Sequence, residues 1–406
     1  MSFFPHGFAE AFLSRVASVV GGGEGVVPLH EPDLGEAERR SVLACLESTF
    51  VSTVGEHTPR FERLLADYVG CREAVGMVNG TAALHMCLLG AGVRPGDEVV
   101  LPSLSFVATA NAVGYCGAVP HFADVEPQTL CLCPDRLRDH LRRHVDRRPD
   151  GAFNKETSRR VAALVPMHAF GHPAKLDDLR ALCVEYGLAL VEDAAQALGT
   201  RLDGRGVGAF GLCGALSFNG NKIITTGGGG AVLTDDPELA AWIRHTAATA
   251  KKPHPWKFSH DQPGFNYRLP NLNASLGIPQ LRRIEELVAA KRRLAAAYAA
   301  AFADIAQCRF VAERPEARSN YWLCTVVLDP RGELGDRAEE LRAEVLAAAH
   351  GRGLLLRPVW EPLHTLPMYR RCPKGDLGVT EFLAPRIVNL PSSSHLGRAL
   401  PGDGTA

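Results

Sequence analysis

Apolar positions recur at three- and four-residue spacing over Phe8–Val20, and the run stops at Gly21, Gly22 and Gly23, which mark a helix end and a flexible joint. This opening reads as an arm that packs on something else, a second subunit among the candidates. Helical patterns follow over 36–46, where Leu34, Val42 and Leu46 suit one buried stripe, and over 61–68. From residue 75 the texture changes. Short, wholly apolar runs at 75–78, 99–101, 119–125, 161–165 and 188–191 alternate with helical segments such as 82–89 and 176–186. Apolar rather than alternating strands, separated by helices, predict a largely parallel sheet covered on both faces. Residues 136–155 are charged and irregular and read as a surface excursion. Two further buried strands are expected at 214–218 and 231–234.

Beyond Gly264-Phe265-Asn266-Tyr267-Arg268 the pattern shifts again. Leu281, Ile284, Leu287, Val288, Leu294, Ala295 and Tyr298 mark one long helix over 274–302. Strands near 308–311, 321–328 and 354–356 and a helix over 338–350 then suggest a smaller domain. The expectation is an α/β chain: an arm over 1–26, a large domain over 27–273, a linking helix with a small C-terminal domain over 274–396, and a disordered tail over 397–406.

A length of 406 residues suits two domains better than one core. The formal net charge of −1 gives no support to a nucleic-acid or membrane-surface partner. The eleven cysteines are scattered, and several, such as Cys183, Cys213 and Cys324, fall in apolar runs where reduced core thiols belong. Cys131-Leu132-Cys133 has no second pair at zinc-site spacing, so no metal is expected. No apolar run approaches membrane-spanning length, and Met1-Ser2-Phe3-Phe4 lacks the positive start of a signal peptide. A cytoplasmic enzyme fits these features.

The candidate chemistry sits at strand ends, where open parallel sheets place their ligands. Lys222 follows the strand ending in Ser217-Phe218 and precedes the glycines Gly227 to Gly230. A lysine there can condense with an aldehyde if desolvation keeps part of its amine neutral; it could equally be a solvated charge. Gly80-Thr81 opens a helix whose amides could hold a phosphate, or Thr81 could simply cap it. Glu192-Asp193 ends a strand with Gln196 three residues on, and an acid there could be only a helix cap. Ser217 could be a second phosphate ligand or a plain strand-end hydroxyl, and Phe106 could be core. Taken together they describe pyridoxal phosphate chemistry: Lys222 for the aldehyde, Asp193 for the pyridine nitrogen, a phosphate cradle, and Phe106 as a flat surface over the ring. The glycine run is no Walker loop, because its lysine precedes the glycines and no G-K-S/T follows, and no helix opens on it as in a dinucleotide fingerprint.

The order N-G-T-A-A-L, P-S-L-S-F, E-D-A-A-Q, S-F-N-G-N-K and G-F-N-Y-R resembles the DegT/DnrJ/StrS family of sugar-nucleotide aminotransferases over roughly residues 27 to 395. The resemblance implies a type I pyridoxal-phosphate fold working as a homodimer with shared active sites. It implies Lys222 as the amine that holds the cofactor, Asp193 at the ring nitrogen and Gln196 near the phenolic oxygen. Phe106 would stack, Gly80, Thr81 and Ser217 would hold the phosphate, and Asn266 would reach the phosphate of the neighbouring subunit. The family also contains dehydratases with histidine in place of the lysine, which Lys222 argues against, and a silent regulatory member should lack part of this set.

The runs around His168 and His172, Ser319-Asn320-Tyr321-Trp322, Arg357-Pro358-Val359-Trp360 and Leu363-His364-Thr365-Leu366-Pro367-Met368-Tyr369 are similar to one subgroup. That subgroup makes the 4-amino sugar nucleotide of legionaminic acid and bacillosamine, from a 4-keto-6-deoxy-N-acetylglucosamine nucleotide with L-glutamate as donor. A GDP-perosamine-type enzyme is the alternative. Tyr321, Arg357, Trp360, His364 and Tyr369 are the sugar-site candidates. His168 and His172 invite a metal, but a proline-containing loop with no acidic partner in view makes that a poor fit.

Overall fold

A computed structural model describes residues 7–21 and 25–400. Its largest sheet has nine strands among these residues. Along the main path the order is Glu73–Met77, Gly230–Thr234, Cys213–Ser217, Ala189–Asp193, Arg160–Leu164, Glu98–Pro102 and Val119–Ala123. The last five of these run parallel, and Gly230–Thr234 is antiparallel to both its neighbours. Burial on both faces explains the continuous apolar runs. Between Cys213–Ser217 and Gly230–Thr234 the chain makes turns and no helix, so it returns beside the first strand in the antiparallel sense rather than crossing over the sheet through a helix.

A second, antiparallel sheet orders Cys308–Phe310, Cys324–Leu328, Ile387–Leu390 and Arg357–Pro358. The helices Phe8–Val20, Ile284–Phe302 and Ala338–Gly351 cover it and share one apolar core. The first of these is the predicted arm. Its apolar face is buried within its own chain, with the Phe12 and Phe302 rings 5.0 Å apart. Two of the glycines expected to end it, Gly22 and Gly23, lie outside the described residues.

Several expectations need correction. The charged stretch 136–155 is ordered: a helix, Pro134–His144, buries Leu137 and Leu141 one turn apart, and a hairpin of Val145–Arg148 with Gly151–Asn154 follows. Charge on the solvent face had hidden a two-leucine stripe. The single long helix is two, Asn271–Arg282 and Ile284–Phe302. Arg283 leaves the helical conformation between them, and its guanidinium reaches Asp33 at 3.0 Å and Glu38 at 3.3 Å. The apolar stripe continues across the break, so periodicity could not reveal it. Residues 354–356 contribute only a bridge from Leu354 to Val27, while Ile387–Leu390 is a strand that was not anticipated. The predicted disordered tail begins inside a short helix, Ser394–Arg398, and residues 401–406 lie outside the described residues.

Candidate active site

The strand Ala189–Asp193 ends in two acids that face opposite sides, as strand neighbours do. Glu192 is saturated by its own chain. It accepts from the backbone N–H groups of Gly208 (2.8 Å), Phe210 (2.6 Å) and Gly211 (2.9 Å), and His168 Nε2 lies 3.0 Å away. Burial alone would raise its pKa, but His168 and these amides bring it below the ordinary carboxylate value. His168 Nδ1 accepts from the Ala174 N–H at 3.1 Å, which leaves Nε2 to donate to Glu192. His168 therefore does have an acidic partner, contrary to the sequence expectation, and the pair is a closed buried contact. No group of three metal-ligating side chains occurs among the described residues.

Asp193 turns the other way, onto a cavity of about 330 Å³. Its Oδ2 accepts from Thr109 Oγ1 at 2.6 Å and its Oδ1 from the Ala195 N–H at 3.2 Å. Lys222 lines the same cavity. The turn after the strand Cys213–Ser217 positions it, with the Lys222 N–H donating to Asn219 O at 3.0 Å. Lys222 Nζ stands 4.0 Å from the centroid of the Trp322 ring and makes no hydrogen bond or ion pair among the described residues. Burial lowers its pKa to about 8, against an opposing pull from Asp193. Part of the amine is then unprotonated near neutral pH, as a nucleophilic lysine requires.

A helix start also lines the cavity. Gly80 and Thr81 open the helix Gly80–Gly90, and the side chain of its N-cap, Asn79, accepts from the Ala82 N–H at 2.7 Å. The leading amides of a helix have no intrahelical carbonyl, and its dipole is positive there. Ser217 lies against this turn: a Cβ added at Gly80 would come within 2.8 Å of Ser217 Cβ and 3.2 Å of its Oγ. Only glycine lets the helix start and the hydroxyl share this space.

Phe106 and Gln196 complete the wall. Phe106 is 49% exposed, so it is not core, and its ring centroid is 6.2 Å from that of Trp360. Gln196 Oε1 accepts from the Phe170 N–H at 2.7 Å. Asn266 is exposed, bridges to Ala248, and does not line this cavity.

The sugar-site candidates separate. Trp360 lines the cavity, and Arg357 lines an adjoining one. Tyr321, His364 and Tyr369 line neither. Tyr321 is buried, its hydroxyl accepting from the Glu313 N–H at 3.1 Å. His364 Nδ1 lies 2.7 Å from Ser103 Oγ and its Nε2 3.3 Å from Glu381. The Tyr369 hydroxyl donates to Asn111 Oδ1 at 2.5 Å. Thr109, Asn221 and Trp322 were not anticipated. Trp322 adjoins Tyr321, and its indole N–H donates to Asn221 O at 2.7 Å. Nothing in sequence marks Thr109, whose role depends on a contact 84 positions away.

Comparison with known proteins agrees with this geometry. A GDP-perosamine synthase of Caulobacter vibrioides is 34% identical over 372 residues, 91% of this chain and 93% of that protein. A putative pyridoxal phosphate-dependent aminotransferase of Bacillus subtilis, EpsN, is 35% identical over 91% of each chain. The crystal structure of the aminotransferase TlmJ from Streptoalloteichus hindustanus superposes with a TM-score of 0.81 at 32% identity, over 91% of this chain and 94% of that one. The model of the DegT/DnrJ/EryC1/StrS aminotransferase family matches residues 32–400. An α/β enzyme with a large, mostly parallel sheet and a lysine that shares one cavity with an acid, the chain belongs to that aminotransferase family.

Proposed function

We propose that the protein is a pyridoxal phosphate-dependent aminotransferase that moves the amine of L-glutamate onto a nucleotide-linked 4-keto-6-deoxy sugar. The observation that carries the reading is Lys222, whose amine makes no hydrogen bond or ion pair among the described residues and shares a cavity with Asp193. The residues fit the cofactor. Helix-start amides and the Ser217 hydroxyl suit a phosphate, and the close approach at Gly80 leaves that end narrow and dense in donors. Bound pyridoxal phosphate supplies an aldehyde for the amine and a conjugated ring that takes up the electron pair left when a proton departs.

The chain supplies the rest. Lys222 would hold the aldehyde at rest and, once freed, take a proton from one carbon and return it to another. Asp193, oriented by Thr109, would hold a proton at the pyridine nitrogen. The Phe106 ring would cover one face, and Gln196 would stand near the phenolic oxygen. Asn266, exposed and away from its own cavity, suits a reach into the site of a second copy, so a homodimer is part of the proposal.

The subgroup motifs favour a UDP-linked N-acetylated keto sugar, as in legionaminic acid or bacillosamine synthesis. A second reading, the GDP-linked keto sugar that would give GDP-perosamine, is favoured by the names of the relatives from Caulobacter vibrioides, Vibrio cholerae and Escherichia coli. A panel of UDP- and GDP-linked 4-keto sugars with glutamate, with products read by mass and NMR, decides between them. No amination of any member would overturn the sugar-nucleotide assignment. No described helix is long and apolar enough to cross a membrane.

A further inference from the structure

A second cavity of about 460 Å³ shares Asn221, Trp322 and Trp360 with the first, and His30, Arg357 and Asn389 are among its other walls. The backbone around His30 is pinned on both sides. The Ser392 N–H donates to Leu29 O at 2.7 Å, and the Glu31 N–H donates to Ser393 Oγ at 3.0 Å. The side chain is left unmatched: both ring nitrogens are buried, and neither has a hydrogen-bond partner among the described residues. Buried polar groups are almost always paired, so two unpaired nitrogens on one ring call for a partner from outside the chain.

The chemistry of that partner can be narrowed. Burial holds the His30 pKa well below its usual value, and the charges of Lys291, Lys222 and His395 add to the effect. A neutral imidazole offers one donor and one acceptor. It therefore suits a neutral group rather than a phosphate, for which the exposed Arg357, with no ion pair among the described residues, is the better match. Asn389 uses its Oδ1 to accept from Thr325 at 2.8 Å, and its amide N–H groups have no partner among the described residues. Trp360 stacks on Phe170 at 5.0 Å and 22°, giving the cavity a flat apolar wall of the kind a sugar ring packs on.

We propose that His30 is a specificity-determining residue that hydrogen-bonds a neutral substituent, hydroxyl or amide, on the ring of the keto-sugar nucleotide. This rests on the aminotransferase reading above. His30 lines the cavity, and the broad torsion about its Cβ–Cγ bond lets the ring orientation adjust to a bound group. A site built to hydrogen-bond a substrate group rejects analogues that lack it more strongly than an apolar wall can.

The test is calorimetric titration of the pyridoxal phosphate-loaded protein, which binds a keto sugar without aminating it. The probes are a UDP-linked 2-acetamido-4-keto-6-deoxy sugar, a GDP-linked 4-keto-6-deoxy sugar with a 2-hydroxyl, and UDP and GDP alone. They are run on the unaltered protein, His30→Ala and His30→Gln, beside the glutamate half-reaction followed by absorbance. The preferred sugar nucleotide should bind about tenfold more weakly, or worse, to His30→Ala. His30→Gln, which keeps a donor and an acceptor, should recover part of that loss, while free nucleotide still binds and glutamate still converts the cofactor. The sugar that suffers more identifies the amide or the hydroxyl as the partner. Sugar binding unchanged in His30→Ala would overturn the proposal. So would an equal loss for sugar nucleotide, free nucleotide and glutamate, which makes His30 structural. Failure of the unaltered protein to bind either sugar nucleotide would instead overturn the sugar-nucleotide reading, and this proposal with it.

Discussion

Thr109 Oγ1 donates to Asp193 Oδ2 at 2.6 Å, within 3.0 Å of a second hydroxyl on Ser105. The contact holds one of two neighbouring acids toward the cavity, while the other, Glu192, is bound by three backbone amides and His168. If Asp193 keeps the pyridine nitrogen protonated, its orientation matters as well as its charge. A hydrogen bond to a charged group contributes roughly 1.5–3 kcal/mol, so Thr109→Val should slow turnover by about tenfold or more. Asp193→Asn should cost orders of magnitude with the fold intact, because the carboxylate itself is lost. Steady-state rates and circular dichroism check both; equal, small effects would reduce Asp193 to a strand-end polar group.

The Gly80 turn gives a second prediction. A methyl at this position would meet Ser217 Cβ at 2.8 Å, and overpacking a tight contact costs about 1–3 kcal/mol. Gly80→Ala should therefore weaken pyridoxal phosphate binding by about tenfold, read by equilibrium dialysis. Gly92→Ala is not an equivalent control, since Gly92 needs φ +75°, so Gly114→Ala, with open space and ordinary backbone, is the better one. Equal affinity in Gly80→Ala and the unaltered protein would remove the phosphate from this end.

Much of this was legible in sequence because chemistry and secondary structure coincide there. Lys222, Asp193, Gly80, Thr81 and Ser217 each sit at the end of an apolar run or the start of a helix, so local pattern located them, and the structure gathers them round one cavity. Thr109, Trp322 and His30 were not legible, since each matters through a neighbour brought close only by the fold. That Tyr321, His364 and Tyr369, expected at the sugar site, line neither cavity has the same root. A run of polar aromatics looks like a binding surface, but these three spend their polar atoms on Glu313, Ser103 and Asn111 within the chain.

A third prediction concerns Lys291, fully buried and donating to Trp322 O at 3.1 Å and to Ser392 O. Burial lowers its pKa to about 7 from 10.5. Between those values the unfolded chain binds a proton that the folded chain does not, so stability rises with pH over that window. Below about 7 both states are protonated and this contribution is flat. Relative to Lys291→Met, the unaltered protein should thus gain stability from pH 7 upward in denaturant titrations. A constant difference across the window would mean the lysine stays charged when folded.

The shared-site proposal makes a fourth. Mixing Lys222→Ala with an impaired Asn266→Ala variant, under conditions of subunit exchange, should restore part of the activity, because one hybrid site keeps both residues. No recovery, with exchange demonstrated and a real defect in each parent, would count against a dimer with composite sites.

The central claim is that Lys222 is the amine that holds the cofactor, and the chain offers a rival in Lys291, whose pKa burial depresses further. Borohydride reduction of the pyridoxal phosphate-loaded protein, followed by digestion and mass spectrometry, reads the attachment point directly. The account predicts a single phosphopyridoxyl group on the peptide carrying Lys222, and its loss in Lys222→Ala. Attachment at Lys291, or no specific attachment in a protein that still transaminates, would contradict it.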